Sequence, residues 1–245
     1  MQLTNKTILI TGASDGIGKA TALACAKAGA TVIIHGKTQP KLEILYDEIV
    51  DAGYPEPVIY PLDLEKLNPE DCDTLYEVIK KEFGQLDGLF NNAGWLGASS
   101  PIQQHDIKLW HRVMQINLNA AFMLTQACIP LLNNDSASSV VFNLDDKSTA
   151  YWGAYGASKA GLRSFMEILA DELESTSINV CGLFPGTVRT GFRTRAFPAE
   201  DPTELTLPTE VATAAAFLLS EDGRTVDGTA SHGRVFNLAE VVSVL

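Results

Sequence analysis

TILITGASDGIG, running from Thr7 to Gly18, is the stretch whose reading decides the fold. A short apolar run rich in branched residues enters a turn carrying Gly12, Gly16 and Gly18, and an Ala-rich segment of helical periodicity opens at Ile17. Glycines there let the backbone turn tightly and approach a ligand. The unpartnered N–H groups at the helix start suit a pyrophosphate. The spacing, TGxxxGxG, differs from the usual dinucleotide fingerprint, and a lone glycine turn is weak evidence, so the rest of the chain has to decide.

Outward from that turn, short β-branched runs alternate with longer helical patterns. Strands are expected at Thr7–Thr11, Thr31–His35, Pro57–Pro61, Leu86–Asn91, Ser139–Leu144 and Ile178–Phe184. Helices are expected at Ile17–Ala28, Pro40–Ala52, Pro69–Phe83, Asp106–Leu132, Trp152–Glu174 and Thr209–Leu219. Repeated strand–helix–strand units give an α/β class, a doubly wound parallel sheet of Rossmann type flanked by helices. No linker or internal repeat interrupts residues 1–245, so one domain is expected, with a lid loop near 187–208 where the text turns to Pro, Thr, Arg and Glu. The last strand is either Thr229–His232 or Val235–Leu238, and the apolar VVSVL ending is expected to pack against the core or a neighbouring subunit.

Composition narrows the function classes. Eighteen basic against thirty acidic residues leave a formal charge of −12, which disfavours nucleic acid as a partner. Cys25, Cys72, Cys128 and Cys181 have no paired short spacing and sit in apolar segments, as buried free thiols do. His105 and His111 stand on one helix but on different faces, and no metal site is expected. No stretch reaches the ~18 apolar residues of a membrane span and the start, MQLTNKTILITG, has no long apolar region, so a cytoplasmic protein without membrane association is expected. Trp110, Trp152 and Phe122 are expected in core or subunit contacts.

Tyr155 and Lys159 stand one helical turn apart in WGAYGASKAG. An ammonium at i+4 shares the phenol's helix face and is expected to lower its pKa from about 10, which makes Tyr155 a candidate proton donor or acceptor. An incidental surface pair would have the same spacing. The order of motifs argues otherwise: TGASDGIG, then NNAG from Asn91 to Gly94, Asn117 in the long following helix, YxxxK at Tyr155, and PGTVRT from Pro185 to Thr190.

Taken together these motifs, spread over residues 7 to 190, resemble the short-chain dehydrogenase/reductase family. A narrower likeness, to the YciK-type branch of bacterial oxidoreductases, is carried by FMLTQA at Phe122–Ala127, YWGAY at Tyr151–Tyr155 and AFPAEDP at Ala196–Pro202. The resemblance implies an NAD(P)-dependent oxidoreductase that moves a hydride between cofactor and a small carbonyl or alcohol substrate. It also implies a homodimer or homotetramer, paired through the helices at Asp106–Leu132 and Trp152–Glu174.

Carried over residue by residue, the resemblance puts the pyrophosphate at Gly12, Ser14, Asp15, Gly16, Ile17 and Gly18. Asp63 falls at the adenine, and Asn91, Ala93 and Gly94 along the adenosine side. The second expected strand ends in His35-Gly36-Lys37, without the carboxylate typical of NAD-preferring members, so Lys37 suggests a 2′-phosphate and NADP(H) is favoured over NAD(H). Asp15, where NADP-binding relatives often carry a basic residue, argues mildly the other way. Pro185, Gly186, Thr187 and Thr190 would hold the nicotinamide end. Tyr155 would serve as proton donor, Lys159 would hydrogen-bond the nicotinamide ribose, and Asn117 would hold its helix open around a water linking Lys159 to solvent.

The family's serine, thirteen residues before the tyrosine, falls on Phe142 in the apolar strand VVFN. A loop three residues shorter than in the YciK branch would align Asp145 with it instead, and an ionised carboxylate cannot donate a hydrogen bond to a carbonyl oxygen. Losing such a donor costs about 3–4 kcal/mol of transition-state stabilisation. Ser148 and Thr149 are the nearest hydroxyls, with Ser148 the candidate replacement. The reading from another class is a nucleotide-binding sensor or assembly subunit that kept the fold and lost turnover.

Overall fold

The computed structural model describes residues 1–133 and 136–245. Seven parallel strands form one sheet: β1 (Thr7–Ile10), β2 (Thr31–Gly36), β3 (Val58–Pro61), β4 (Gly88–Asn91), β5 (Ser138–Asn143), β6 (Ile178–Phe184) and, after a two-stranded hairpin of β7 (Thr225–Val226) and β8 (Thr229–Ala230), β9 (Val235–Asn237). The order is β3-β2-β1-β4-β5-β6-β9. Both candidates for the last strand are therefore extended, but only Val235–Asn237 joins the main sheet, beside β6. Thr229–Ala230 folds back on Thr225–Val226 through Asp227 and Gly228, both at positive φ as a two-residue hairpin turn requires.

Helices cover both faces. On one lie α1 (Gly16–Lys27), α2 (Gln39–Asp51) and α8 (Pro208–Leu219); on the other, α3 (Pro69–Phe83), α5 (Ala120–Leu132) and α6 (Gly153–Glu172), with α4 (Ile107–Met114) leading into α5. Strand periodicity divides the core accordingly: Ile8 and Ile10 pack with the α1 side, and Leu9 between them with the α3 side. Phe142, one of the two positions onto which the resemblance carries the serine, is fully buried on the α6 side with its ring edge-on to Phe165 at 5.7 Å, so that position is filled by core.

The single helix expected at Asp106–Leu132 is interrupted. Gln115–Asn119 forms a π-helical turn between α4 and α5, a wider winding that occurs mostly as single turns inside α-helices and often at functional sites. The stretch 187–208 is also more ordered than an irregular loop. It contains α7 (Gly191–Ala196), and its ends are zipped by a parallel bridge between Val188 and Thr206. The C-terminal helix α9 (Leu238–Val242) buries Val241 alone of the terminal valines, leaving Val242, Val244 and Leu245 exposed. All four cysteines are buried free thiols. No helix among the described residues is long and apolar enough to cross a membrane.

Candidate active site

Parallel strands deliver all their C-terminal ends to one edge, and the strand order reverses between β1 and β4, where an open α/β sheet forms its ligand crevice. A cavity of about 460 Å³ runs along this edge. Gly12, Ser14, Asp15, Gly16 and Ile17 line it from the turn after β1, Ala93 and Gly94 from the turn after β4, and Pro185, Gly186 and Thr190 from the segment after β6. Lys37 and Asp63 stand at one end, and Tyr155 and Lys159 at the other.

The β1–β4 crevice is clamped by two side chains that sequence reading did not single out. Thr11 donates from Oγ1 to the Phe90 carbonyl at 3.1 Å and accepts from the amides of Asn92 and Ala93 at 2.9 and 3.0 Å. Asn92 donates through Nδ2 to the Thr11 carbonyl at 2.9 Å and accepts from Asn143 Nδ2 at 2.9 Å. The turn leaves room for a ligand because it is glycine: Gly12 and Gly16 lie at positive φ. Gly18 serves differently. It does not line the cavity, and a Cβ there would meet the Gly12 carbonyl at 2.2 Å, so it lets α1 close onto the turn.

Asn91 also stands behind the cavity rather than on it. It is buried and donates through Nδ2 to Thr125 Oγ1 at 2.8 Å, while its Oδ1 finds no partner among the described residues. Thr187 is exposed and away from the lining, its carbonyl accepting from the Thr206 amide at 3.1 Å, whereas Thr190 lines the cavity and caps α7 through Arg193 N.

At the far end Lys37 is exposed but not isolated: its Nζ lies 2.8 Å from Asp63 Oδ2 and 3.7 Å from Glu65. The hydrogen bond to Asp63 raises the lysine pKa above its ordinary value. Asp15 caps α1 and pairs with Lys41 at 3.3 Å, putting a second cation beside the turn. His35, fully buried at the end of β2, accepts weakly from Gly12 N at 3.5 Å; burial pushes its pKa down to about 4.

At the reaction end, α6 presents Tyr155 and Lys159 on one buried face. The expected pairing does not occur between them. Tyr155 donates to Asp145 Oδ2 at 2.9 Å, while Lys159 Nζ donates to the Asn143 carbonyl at 2.7 Å. Burial raises the phenol well above its ordinary pKa, and the charge and hydrogen bond of Asp145 add to that, correcting the expectation of a lowered value. Lys159 falls to about 8 because it is fully buried. The carboxylate, not the ammonium, holds the phenol.

Ser148 is likewise corrected. It is exposed, its Oγ reaches only Asp146 at 3.4 Å, and it does not line the cavity. Asn117 lies at the π turn, fully buried. Its Oδ1 accepts from Trp95 N at 2.7 Å, and its Nδ2 donates to Trp95 O and Ser158 Oγ, both at 3.0 Å. Ser158 in turn donates to the Tyr155 carbonyl at 2.7 Å, so Asn117 fixes the α6 turn that carries the phenol. Trp152 and Phe192 wall the substrate side, their rings 5.6 and 5.3 Å from that of Tyr155. Trp152, expected in core or subunit contacts, lines the cavity instead, and Phe192 was not singled out by the sequence reading.

The short chain dehydrogenase profile matches residues 6–201. The uncharacterised oxidoreductase YciK of Escherichia coli K12 is 39% identical over 229 residues, covering 92% of this chain and 90% of that protein. A Shigella flexneri short chain dehydrogenase crystallised with NADP superposes with a TM-score of 0.91 at 38% identity, over 97% of this chain and 98% of the other. An Escherichia coli CFT073 short chain dehydrogenase crystallised with NADPH gives a TM-score of 0.90 at 39% identity, over 96% and 97%. The chain belongs to the short chain dehydrogenase family and is an oxidoreductase of that family.

Proposed function

We propose that the chain is an NADP(H)-dependent oxidoreductase acting on a small carbonyl or alcohol. The observation that carries this reading is the continuous cavity from the Gly12–Ile17 turn to Tyr155 and Lys159, with glycines where a bound dinucleotide would need the main chain to come close. The residues fit such a cofactor. The turn and the α1 N-terminus would take the pyrophosphate. Lys37 and Lys41 are the cations beside the ribose end, and two structurally similar relatives were crystallised with NADP or NADPH.

When bound, a nicotinamide supplies or accepts the hydride. The chain's own part is to hold the substrate oxygen at Tyr155, to wall the site with Trp152 and Phe192, and to lock the phenol's helix through Asn117 and Ser158. Lys159, tied to Asn143 and through it to Asn92, connects the reaction end to the phosphate turn. Exposed Phe122 and Ile168 on α5 and α6 support pairing of these helices in a homodimer or homotetramer. The reading without turnover draws on one observation, a carboxylate on the phenol where the family has a serine.

Calorimetric titration with NADPH and NADH separates the cofactors. NADPH is expected to bind at least about tenfold more tightly, the value of one charge-assisted contact of about 1.4 kcal/mol after Lys37 leaves Asp63. Lys37→Glu should erase the difference. Equal affinities in the native protein would overturn the NADP assignment.

A further inference from the structure

We propose that Asp145 is the proton partner of Tyr155, accepting through the phenol the proton released by an alcohol substrate. The proposal rests on the oxidoreductase reading above. Its observation is the 2.9 Å bond from the Tyr155 hydroxyl to Asp145 Oδ2, in a buried site whose lysine is engaged elsewhere.

A phenol that already donates to a carboxylate has its oxygen lone pairs free to accept. An alcohol bound against Tyr155 would donate its hydroxyl proton to that oxygen while the phenol proton passes to Asp145. The C–H bond breaks, with its electron pair leaving as hydride to an oxidised nicotinamide, and the C=O bond forms. The alcohol is oxidised, the nicotinamide reduced, and one proton ends on Asp145. The Asp145 side chain is 26% exposed, which gives that proton an exit to water. No tyrosinate has to form. The reverse reaction runs the same relay backwards, with a proton taken up at Asp145 from water and passed through the phenol to the carbonyl oxygen. The charged or titratable groups facing Asp145 are Tyr155 and Lys159 from α6 and, from its own loop, Lys147, with Nζ 3.6 Å from Oδ1.

The test has two arms. Without cofactor, tyrosinate absorbance is titrated in the native protein, Asp145→Asn and Tyr155→Phe. The Tyr155 transition, found by difference, should move to lower pH when the carboxylate is removed, and an unmoved transition would overturn the coupling. With NADP⁺, a panel of cyclohexanol, 1-phenylethanol and 1-tetralol is oxidised from pH 4 to 10, and the matching ketones are reduced with NADPH. Asp145→Asn should lose about a hundredfold in oxidation at pH 7, at the lower end of general acid–base effects. Formate should partly restore Asp145→Ala, a result that a packing role would not produce.

Asp145→Ser should give a rate that climbs with pH, with ketone reduction rising by up to about a hundredfold as a donor returns. Oxidation at pH 7 that is unchanged in Asp145→Asn or faster in Asp145→Ser would overturn the proposal, as would a native enzyme that reduces the ketones and oxidises none of the alcohols. Failure to bind NADP(H) would instead strike the cofactor reading, leaving the tyrosinate titration to decide the Asp145–Tyr155 coupling.

Discussion

At the Gly12 end of the cavity the surface offered to a ligand is mainly main chain, whereas at the Tyr155 end it is side chain. The first end is set by φ angles, by the exposed N–H groups of a helix start and by a glycine that lets α1 close on the turn. The second depends on where the loop between Asn143 and Trp152 places Asp145, Lys147 and Ser148. Main-chain sites are copied faithfully by short motifs because glycine spacing dictates backbone shape. Side-chain sites depend on loop conformation and can change their chemistry while the fold stays as it was.

The sharpest way to break that contrast is Tyr155→Phe, which keeps the ring between Trp152 and Phe192 and removes the hydroxyl. Turnover should fall by about a thousandfold, within the usual range for losing a proton-transferring group, with NADPH affinity unchanged. Steady-state rates and calorimetry on the same preparation check it. Full activity in the variant would remove the phenol from the chemistry.

A second prediction concerns the phosphate-turn end. His35 has its pKa pushed by burial from 6.5 to about 4, so between these values the unfolded chain binds more protons than the folded one and stability rises with pH. The contribution is fully present above about 6.5, is lost as pH falls through 4, and amounts to something on the order of 3 kcal/mol. Urea midpoints at pH 7 and pH 5 should therefore differ more in the native protein than in His35→Asn. Identical shifts in the two proteins would place the acid sensitivity elsewhere.

The smallest effect tests the main-chain end directly. Gly18→Ala sets a Cβ 2.2 Å from the Gly12 carbonyl, so the turn or α1 must move. A loss of about 2 kcal/mol is expected, within the range for overpacked sites, together with weaker NADPH binding. Gly53→Ala, in a surface turn at positive φ with open space around it, should lose about 1 kcal/mol from backbone strain and leave cofactor binding alone. Equal effects of the two on binding would show that the turn is not a dedicated cradle.

The strands and helices of the parallel sheet could be read from pattern, since the strands are short, largely apolar, β-branched runs and the crossovers between them have helical length and spacing. Where reading fell short, long-range contacts decide. Periodicity alone does not show that the Asp106–Leu132 helix winds into a π turn at Asn117, because that turn answers to Trp95, 22 residues away; only the family resemblance had pointed to an opened helix there. The choice of Val235–Asn237 over Thr229–Ala230 as the seventh strand depends on β6.

The same division runs through the site. The TGASDGIG, NNAG and YxxxK segments were sufficient to bring Gly12, Gly94, Tyr155 and Lys159 to one edge, because backbone geometry and strand direction follow from local pattern. They did not reveal that Lys159 bonds to Asn143, that Asp63 holds Lys37, or that Asp145 holds Tyr155. Those pairings join residues whose separation closes only when the sheet assembles. A hydrogen bond is decided within a few tenths of an ångström, a precision that residue spacing along a chain does not carry.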